Sequence, residues 1–186
     1  MELQTRRFLL RDFIASDEAA FRAYHADPRY SAFYAAEEVT AQHSQHLLEL
    51  FRDWASQEPR LNFQLAVVQR QEPKALVGCV GLRRAGLPPD VAEYGMELAP
   101  DFWSRHAYAV EMGRGMLDFG FRDLGLSVVI GSTVSANARI SRLTEWFGAE
   151  IVARRPGDEW MVARGFSHVD WRITRESWQD RVSRFP

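Results

Sequence analysis

The sequence predicts one α/β (α+β) domain over residues 1–186, with a mixed, mostly antiparallel central sheet and flanking helices. Three observations predict this class. The 186 residues suffice for one domain with a sizeable core but are few for two. Helical periodicity dominates the early part of the chain, whereas extended, alternating segments begin at Asn62. The order strand, helix, strand over residues 91–134 requires a parallel crossover in an otherwise antiparallel sheet.

The N-terminal third is predicted to contain one strand and two helices. The strand is expected over residues 3–13. The first helix is expected near Ser16, because Ser-Asp-Glu is a typical helix start, and it closes at Asp27-Pro28. The second is expected from Thr40, a good N-cap, to just before Glu58. Its apolar face is formed by Leu47, Leu48, Phe51 and Trp54.

The middle of the chain is predicted to form three strands joined by short turns. Apolar and polar residues alternate over residues 62–70 and again over 75–83, with a turn between them that predicts a β-hairpin. A second turn at Gly86–Asp90 leads into a strand over residues 91–99. Short turns between consecutive strands imply an antiparallel meander.

The C-terminal half is predicted to add helices and strands around that sheet. Gly125 and Gly148 each follow a helical pattern, as glycine commonly does after a helix. The expected elements are a helix over 108–124, a strand over 127–134, a helix over 138–147, a hairpin from 151–155 and 160–164, a strand over 169–173 and a short helix from Thr174.

Composition and charge argue against several classes of protein. The formal net charge of −2 gives no broad electrostatic case for nucleic acid. No apolar run approaches the roughly 20 residues of a membrane span, and no signal peptide is recognised, so a cytoplasmic protein is expected. The single cysteine, Cys79, lies in an apolar run and is predicted to be buried in a strand rather than to act as a catalytic thiol.

The stretch from Glu93 to Glu111 is predicted to bind an anion. It contains a strand that stops at Pro100, a loop that carries Arg105 and His106, and a helix start. Unpaired backbone N–H groups and the helix dipole at such a start favour phosphate.

Five parts of the chain are informative in their order and spacing: Thr5–Phe13, Leu76–Leu82, Glu93–Leu98, Asn137–Leu143 with Trp146–Ala149, and Trp171–Trp178. In that order and spacing they resemble the GNAT acetyltransferase superfamily, and within it the RimJ/RimL type of N-acetyltransferase. The resemblance covers nearly the whole chain. The resemblance implies a GNAT fold whose fourth and fifth strands, at residues 93–98 and 127–134, splay apart.

The resemblance also implies acetyl-CoA as the cosubstrate. The pantetheine arm is expected to pair with the backbone of Met96, Glu97 and Leu98. The pyrophosphate is expected on a loop made of Ser104, Arg105, His106, Ala107, Tyr108 and Ala109. Two positions depart from the family pattern: Ser104 replaces a basic or amide residue, and Ala107 replaces the first glycine. A methyl group at position 107 obstructs the pyrophosphate if that position needs a positive φ.

The resemblance implies roles for five residues in catalysis, cofactor binding or substrate contact. An attacking amine must be neutral, so a base is needed. Glu93 is the leading candidate, because the family often has a carboxylate at this position of the fourth strand. Glu97, on the same face of the strand, is the second candidate. Each could equally be a structural glutamate. Asn137 is expected to bond pantetheine or to cap a helix, and Ser141 to protonate the thiolate of CoA or to pack the helix. Tyr34 is expected to contact the substrate or to fill the core.

The resulting prediction is an N-acetyltransferase that moves an acetyl group from acetyl-CoA to a primary amine, either a protein N-terminus or a small molecule. The amine attacks directly in a ternary complex, without a covalent acyl-enzyme. No metal site is predicted, because His43 and His46 lack further ligands nearby. The alternative is a non-catalytic acyl-CoA-binding or sensing protein of GNAT fold. A strand edge near the C-terminus could pair with a second copy and make a homodimer.

Overall fold

The computed structural model describes residues 1–72, 74–103 and 105–184, with only the backbone of His106. The strands in these ranges are Glu2–Gln4 (β1), Phe8–Arg11 (β2), Asn62–Gln69 (β3), Leu76–Arg83 (β4), Val91–Leu98 (β5), Val128–Val134 (β6), Glu150–Pro156 (β7) and Ser167–Thr174 (β8). The α-helices are Glu18–His25 (α1), Pro28–Ser31 (α2), Ala41–Ser56 (α3), His106–Arg122 (α4), Ala138–Trp146 (α5), Glu159–Val162 (α6) and Arg175–Arg184 (α7).

The chain divides into two compact units. The first contains Met1–Ala85 and Gly95–Met116, and the second contains Gly86–Tyr94 and the residues from Leu117 onward. Strand β5 and helix α4 therefore contribute residues to both units.

The first unit carries the strand order β1-β2-β3-β4-β5, with residues 95–98 as its part of β5. The pairs β1–β2, β2–β3 and β3–β4 are antiparallel, which confirms the predicted hairpin of β3 and β4. The single strand predicted over residues 3–13 is wrong. Two short strands replace it, because the chain turns between them where the Thr5 N–H donates to the Phe8 carbonyl at 2.9 Å.

Helices α1 and α3 pack on the sheet of the first unit through aromatic side chains. Thr40 caps α3, since its Oγ1 accepts from the His43 N–H at 3.1 Å. Phe21 of α1 is fully buried, and the Phe13 and Tyr24 rings meet it edge-to-face at centroid distances of 5.4 and 5.2 Å. The members of this core are Phe13, Phe21, Tyr24, Tyr30, Leu48, Phe51, Ala66, Val68, Cys79 and Ala99.

The second unit carries the order β5-β6-β8-β7, with residues 91–94 as its part of β5. Strand β6 is antiparallel to β8 and parallel to β5, which confirms the predicted crossover. The parallel ladder has three pairs, from Val91↔Val128 to Glu93↔Ile130. Both strands continue beyond it, β5 to Leu98 and β6 to Val134, and their implied splay stays a prediction. The mixed, mostly antiparallel class with flanking helices is therefore confirmed.

Two predicted boundaries are corrected. The hairpin partner of β7 is β8 rather than residues 160–164, which lie in and after α6. Met161 in that helix is buried, and a Cβ at Gly157 would lie 2.4 Å from the Met161 Cβ, so the chain folds back tightly there. Helix α4 begins at His106, so this residue lies in the first helical turn and not in the loop.

The helices of the described ranges include none that combines the length and the apolar character of a membrane span.

Candidate active site

Glu97 is a predicted site carboxylate that several side chains of the first unit contact. It lies near the end of β5, and its side chain is 17% exposed. Three side chains approach the same oxygen, Oε2: the Tyr24 hydroxyl at 2.8 Å, His25 Nε2 at 3.0 Å and Cys79 Sγ at 3.5 Å. Tyr24 and His25 are neighbours in α1, and both are buried.

The position of Glu97 depends on a glycine in the adjacent strand. A Cβ at Gly78 of β4 would lie 2.0 Å from the Glu97 carbonyl oxygen, so only glycine permits this approach. The backbones also meet next to this point, where the Ala99 N–H donates to the Val77 carbonyl at 2.8 Å. The backbone of β5 that carries Glu97 is thus held tightly against β4.

The surroundings of Glu97 keep it ionised. Burial by itself raises the pKa of Glu97, but the hydrogen bond and charge attraction of His25, with bonds from Tyr24 and Tyr30, outweigh it and lower the pKa. Burial raises the pKa of Tyr24 and of Tyr30, so both hydroxyls stay protonated and can donate. The cluster is a fixed anion surrounded by donors.

Tyr34, a predicted substrate contact, lies beside this cluster. Its ring stacks on Tyr30 at a centroid distance of 4.5 Å and an interplanar angle of 15°. Burial raises the pKa of Tyr34, with the charge of Glu97 as the next cause. Aromatic rings next to a carboxylate favour a cationic group such as an ammonium ion.

Cys79 is buried, as predicted, and its thiol is not activated. The Gln64 amide donates to its Sγ at 3.1 Å. Burial, followed by the charge of Glu97, raises the pKa of the Cys79 thiol well above its usual value. A thiol that stays protonated is a poor nucleophile, so the site offers Glu97 and not Cys79 for chemistry.

Two arginine side chains lie against the ring of Tyr108 at the start of α4. Arg105 donates to the Tyr108 hydroxyl at 2.8 Å, and its guanidinium lies 5.2 Å from the ring centroid. The guanidinium of Arg7, from the turn between β1 and β2, lies 5.1 Å from the same ring and donates to the Ala107 carbonyl at 3.3 Å. Two guanidinium groups at a helix start suit a phosphate-bearing ligand.

One carboxylate fixes Arg7 in this place. Glu111 of α4 accepts from the Thr5 hydroxyl, the Arg7 backbone N–H and Arg7 Nε, each at 2.6 Å. Its side chain is 14% exposed. We call these three residues the Glu111 clamp.

Ala107, the departure from the family glycine, lies in the first turn of α4. No non-glycine residue of the described ranges has a positive φ, so the backbone at Ala107 does not need glycine. The Tyr108 N–H donates to the Arg105 carbonyl at 2.8 Å, and the Arg105 N–H donates to the Phe102 carbonyl at 2.9 Å. Ala109 is buried. Ser104 lies outside the described residues, as does the His106 side chain, so their predicted contacts stay predictions.

In the strand predicted to bind pantetheine, the carbonyl of Leu98 accepts a hydrogen bond from a side chain. Trp103 Nε1 donates to the Leu98 carbonyl at 2.6 Å. Met96 and Leu98 are half-buried. Backbone pairing of pantetheine with residues 96–98 stays a prediction.

Three predicted site residues belong to the second unit. Asn137 caps α5, since its Oδ1 accepts from the Ile140 N–H at 3.3 Å, and its amide N–H groups remain donors. Ser141 is exposed, and its hydroxyl donates to the Asn137 carbonyl at 3.2 Å. Glu93 is exposed on β5. Their predicted roles stay predictions.

The first unit thus joins Glu97 with Tyr34 and, separately, Arg105 with Ala107 and Tyr108. Sequence reasoning missed the roles of Arg7, Tyr24 and His25. Tyr24 and His25 fall at helical spacing with Phe21, and this pattern reads as a core face. Nothing in it signals a carboxylate partner more than 70 residues away.

Residues 7–150 match the family model described as an acetyltransferase (GNAT) domain. The uncharacterized N-acetyltransferase YoaA of Bacillus subtilis is 24% identical over 142 residues, which cover 76% of this chain and 78% of that protein. An acetyltransferase of the GNAT family from Bacillus anthracis superposes with a TM-score of 0.75 at 19% identity, covering 95% of this chain and 99% of that one.

A spermidine N-acetyltransferase from Vibrio cholerae, solved in complex with CoA and spermine, superposes with a TM-score of 0.75 at 17% identity. The superposition covers 94% of this chain and 99% of that one. These structural likenesses show the fold. With a family model matched over most of its length, the chain belongs to the GNAT acetyltransferase family.

Proposed function

We propose that the protein transfers an acetyl group from acetyl-CoA to a primary amine, by direct attack in a ternary complex, with Glu97 as the proton acceptor. The observation that carries this proposal is the geometry at Glu97, whose Oε2 lies 2.8 Å from the Tyr24 hydroxyl and 3.0 Å from His25 Nε2. The second-ranked glutamate of the sequence is thereby preferred to Glu93, whose side chain is exposed.

The chemistry proceeds through a tetrahedral intermediate. The neutral amine attacks the thioester carbonyl carbon, a C–N bond forms, and the C–S bond breaks as CoA leaves. The nitrogen sheds one proton to Glu97, which returns it to water, and the departing thiolate takes one proton from water. The lowered pKa of Glu97 keeps this carboxylate unprotonated and therefore able to accept a proton, and the nitrogen is more acidic in the tetrahedral intermediate than in the free ammonium ion.

Arg7, Arg105 and the start of α4 support acetyl-CoA as the donor, because they can bind its phosphates. The negative φ of Ala107 removes the objection raised by the missing glycine. The spermidine N-acetyltransferase from Vibrio cholerae, which has the same fold, was solved in complex with CoA and spermine, a polyamine. We extend the amine class to this chain, and a protein N-terminus, as in the RimJ/RimL type, remains included.

Binding and turnover test the proposal separately. Acetyl-CoA at a hundredfold over its Kd should add about 2.7 kcal/mol of stability in thermal unfolding. Release of the CoA thiol is then measured with polyamines, amino sugars and short peptides as acceptors. Glu97→Gln should lower kcat by roughly 10²- to 10⁴-fold, whereas Glu93→Gln, the matched control, should change it little.

The outcomes are distinct. No thermal shift at millimolar acetyl-CoA would overturn the proposal at the binding step. A shift without turnover for any amine would favour the sensing protein. A Glu97→Gln variant as active as the wild type would remove Glu97 from the mechanism.

A further inference from the structure

The side chain of His25 reaches Glu97 from α1 in a fixed orientation. His25 is 2% exposed, and its Nε2 lies 3.0 Å from Glu97 Oε2. The imidazole packs against the Phe21 ring at a centroid distance of 4.1 Å and against Tyr30 at 4.5 Å. Rings on two sides leave the imidazole little freedom to rotate away from the carboxylate.

We infer that His25 is a positioning residue: it donates from Nε2 to Glu97, keeps that carboxylate anionic and oriented, and so extends acetyl transfer to lower pH. The inference rests on the proposed function, in which Glu97 accepts the proton of the amine.

A purely structural role does not account for a histidine here. The other nitrogen, Nδ1, is buried and has no hydrogen-bond partner in the described part of the chain. A buried nitrogen without a hydrogen-bond partner destabilises the folded state, and an apolar ring at the same place would avoid that cost. The bond from Nε2 to Glu97 is the interaction that an apolar ring could not supply.

His25 also borders a cavity of about 160 Å³ on the side of α3. The other lining residues are Arg22, Ala26, Val39, Thr40, Ala41 and Ser44. None of them is acidic, and Arg22, the charged one, is half-exposed and lies 3.5 Å from Glu18. The cavity side therefore provides no second anion that could compete with Glu97 for the imidazole.

Within the described ranges, the titratable side chains that face Glu97 can each donate a hydrogen bond. They are Tyr24 and His25 from α1, Tyr30 from α2, Tyr34 from the segment after α2, and Cys79 from β4. Their pKa shifts support the inference, because the tyrosines and the thiol are held neutral. After burial, which opposes it, the His25 bond is the largest influence on the pKa of Glu97. Without that bond, burial should raise the pKa of the Glu97 carboxylate.

Two variants separate the donor from the ring. His25→Gln keeps an amide N–H that can reach Glu97, whereas His25→Leu keeps an apolar side chain and no donor. His46→Gln, at an exposed position of α3, is the matched control. Each protein is prepared with ¹³C-labelled glutamate, and the Glu97 carboxyl is titrated by NMR, with Glu97→Gln identifying its signal. The pH profile of kcat is measured alongside, since it reports groups in the ternary complex.

The expected result is a joint shift. In His25→Leu the Glu97 midpoint and the acid limb of kcat should both move upward by roughly one pH unit or more. His25→Gln should restore much of the shift, and His46→Gln should match the wild type. An unchanged Glu97 midpoint in His25→Leu would overturn the inference. A midpoint that moves while the kcat profile stays fixed would uphold the positioning of the carboxylate and overturn Glu97 as the proton acceptor.

If His25→Leu does not fold, the wild-type protein still decides the matter. ¹⁵N NMR of the imidazole nitrogens, assigned with His25→Gln, should show a proton on Nε2 at neutral pH. A proton on Nδ1 alone would make Nε2 an acceptor and would contradict the inference.

Discussion

Replacing Glu111 should loosen the start of α4 and weaken acetyl-CoA binding at the same time. Glu111→Ala removes all three bonds of the Glu111 clamp. Bonds to a charged acceptor contribute about 1.5–3 kcal/mol each, but they are not additive and the Arg7 side chain is 40% exposed. We therefore expect a loss of about 3 kcal/mol in the free energy of unfolding. Glu111→Gln keeps one acceptor oxygen and should lose about 1 kcal/mol.

The effect should depend on pH in a defined direction. Burial by itself raises the pKa of Glu111, but the bonds from Thr5 and Arg7 outweigh it and lower the pKa. A carboxyl with a lowered folded-state pKa stabilises the protein above its unfolded pKa, and this contribution is lost as the pH falls through the folded value. The difference between the wild type and Glu111→Gln should therefore shrink below about pH 4.

Urea unfolding at pH 7 and at acidic pH measures this difference, with Glu145→Gln as the control at an exposed glutamate. The Kd of CoA for each variant is measured by calorimetry. Equal stability of Glu111→Ala and the wild type would refute the claim that the Glu111 clamp stabilises the folded protein. A stability gap between wild type and Glu111→Gln that widens on acidification would refute the sign of the charge contribution.

Two further predictions concern the two chemical parts of the site. Cys79→Ala should retain activity within a few-fold, and intact mass measurement after incubation with acetyl-CoA should find no acetyl group on Cys79; an adduct there would contradict direct attack. Arg7→Gln and Arg105→Gln should each raise the KM for acetyl-CoA by roughly tenfold, since each removes one guanidinium from the start of α4. The same variants should leave the KM for acetyl-pantetheine, which lacks the phosphates, unchanged. An equal rise in KM for both acetyl donors would contradict a phosphate contact.

The elements that the sequence predicts well are those with a clear period or a clear boundary. Helix α3 is confirmed because Thr40 supplies the cap and the apolar side chains recur at helical spacing. The hairpin of β3 and β4 is confirmed because both segments are long enough for a strand period to show. Residues 160–164 were misassigned because a helix of four residues is shorter than either period can reveal.

The candidate site was only partly predictable, for a related reason. Strand parity places Glu93 and Glu97 on one face, but parity cannot tell which of the two is covered by other elements. Coverage of Glu97 depends on α1, which lies about 72 residues earlier in the chain. Arg7 was missed likewise, because the turn that presents it was assigned to the interior of a single strand. Long-range packing, which no local pattern records, decides both positions.

The Glu111 clamp limits how far the central segment can be treated as an independent part. Residues 91–134 contain β5, α4 and the predicted anion-binding stretch, and a designer could try to transfer this segment alone to another protein as a CoA site. Yet one of the two guanidinium groups at the helix start comes from the turn at Thr5–Arg7, which Glu111 fixes from 104 residues away. A graft of the central segment alone would carry Glu111 without its partners. A designed scaffold would also need strands β1 and β2 with the turn between them.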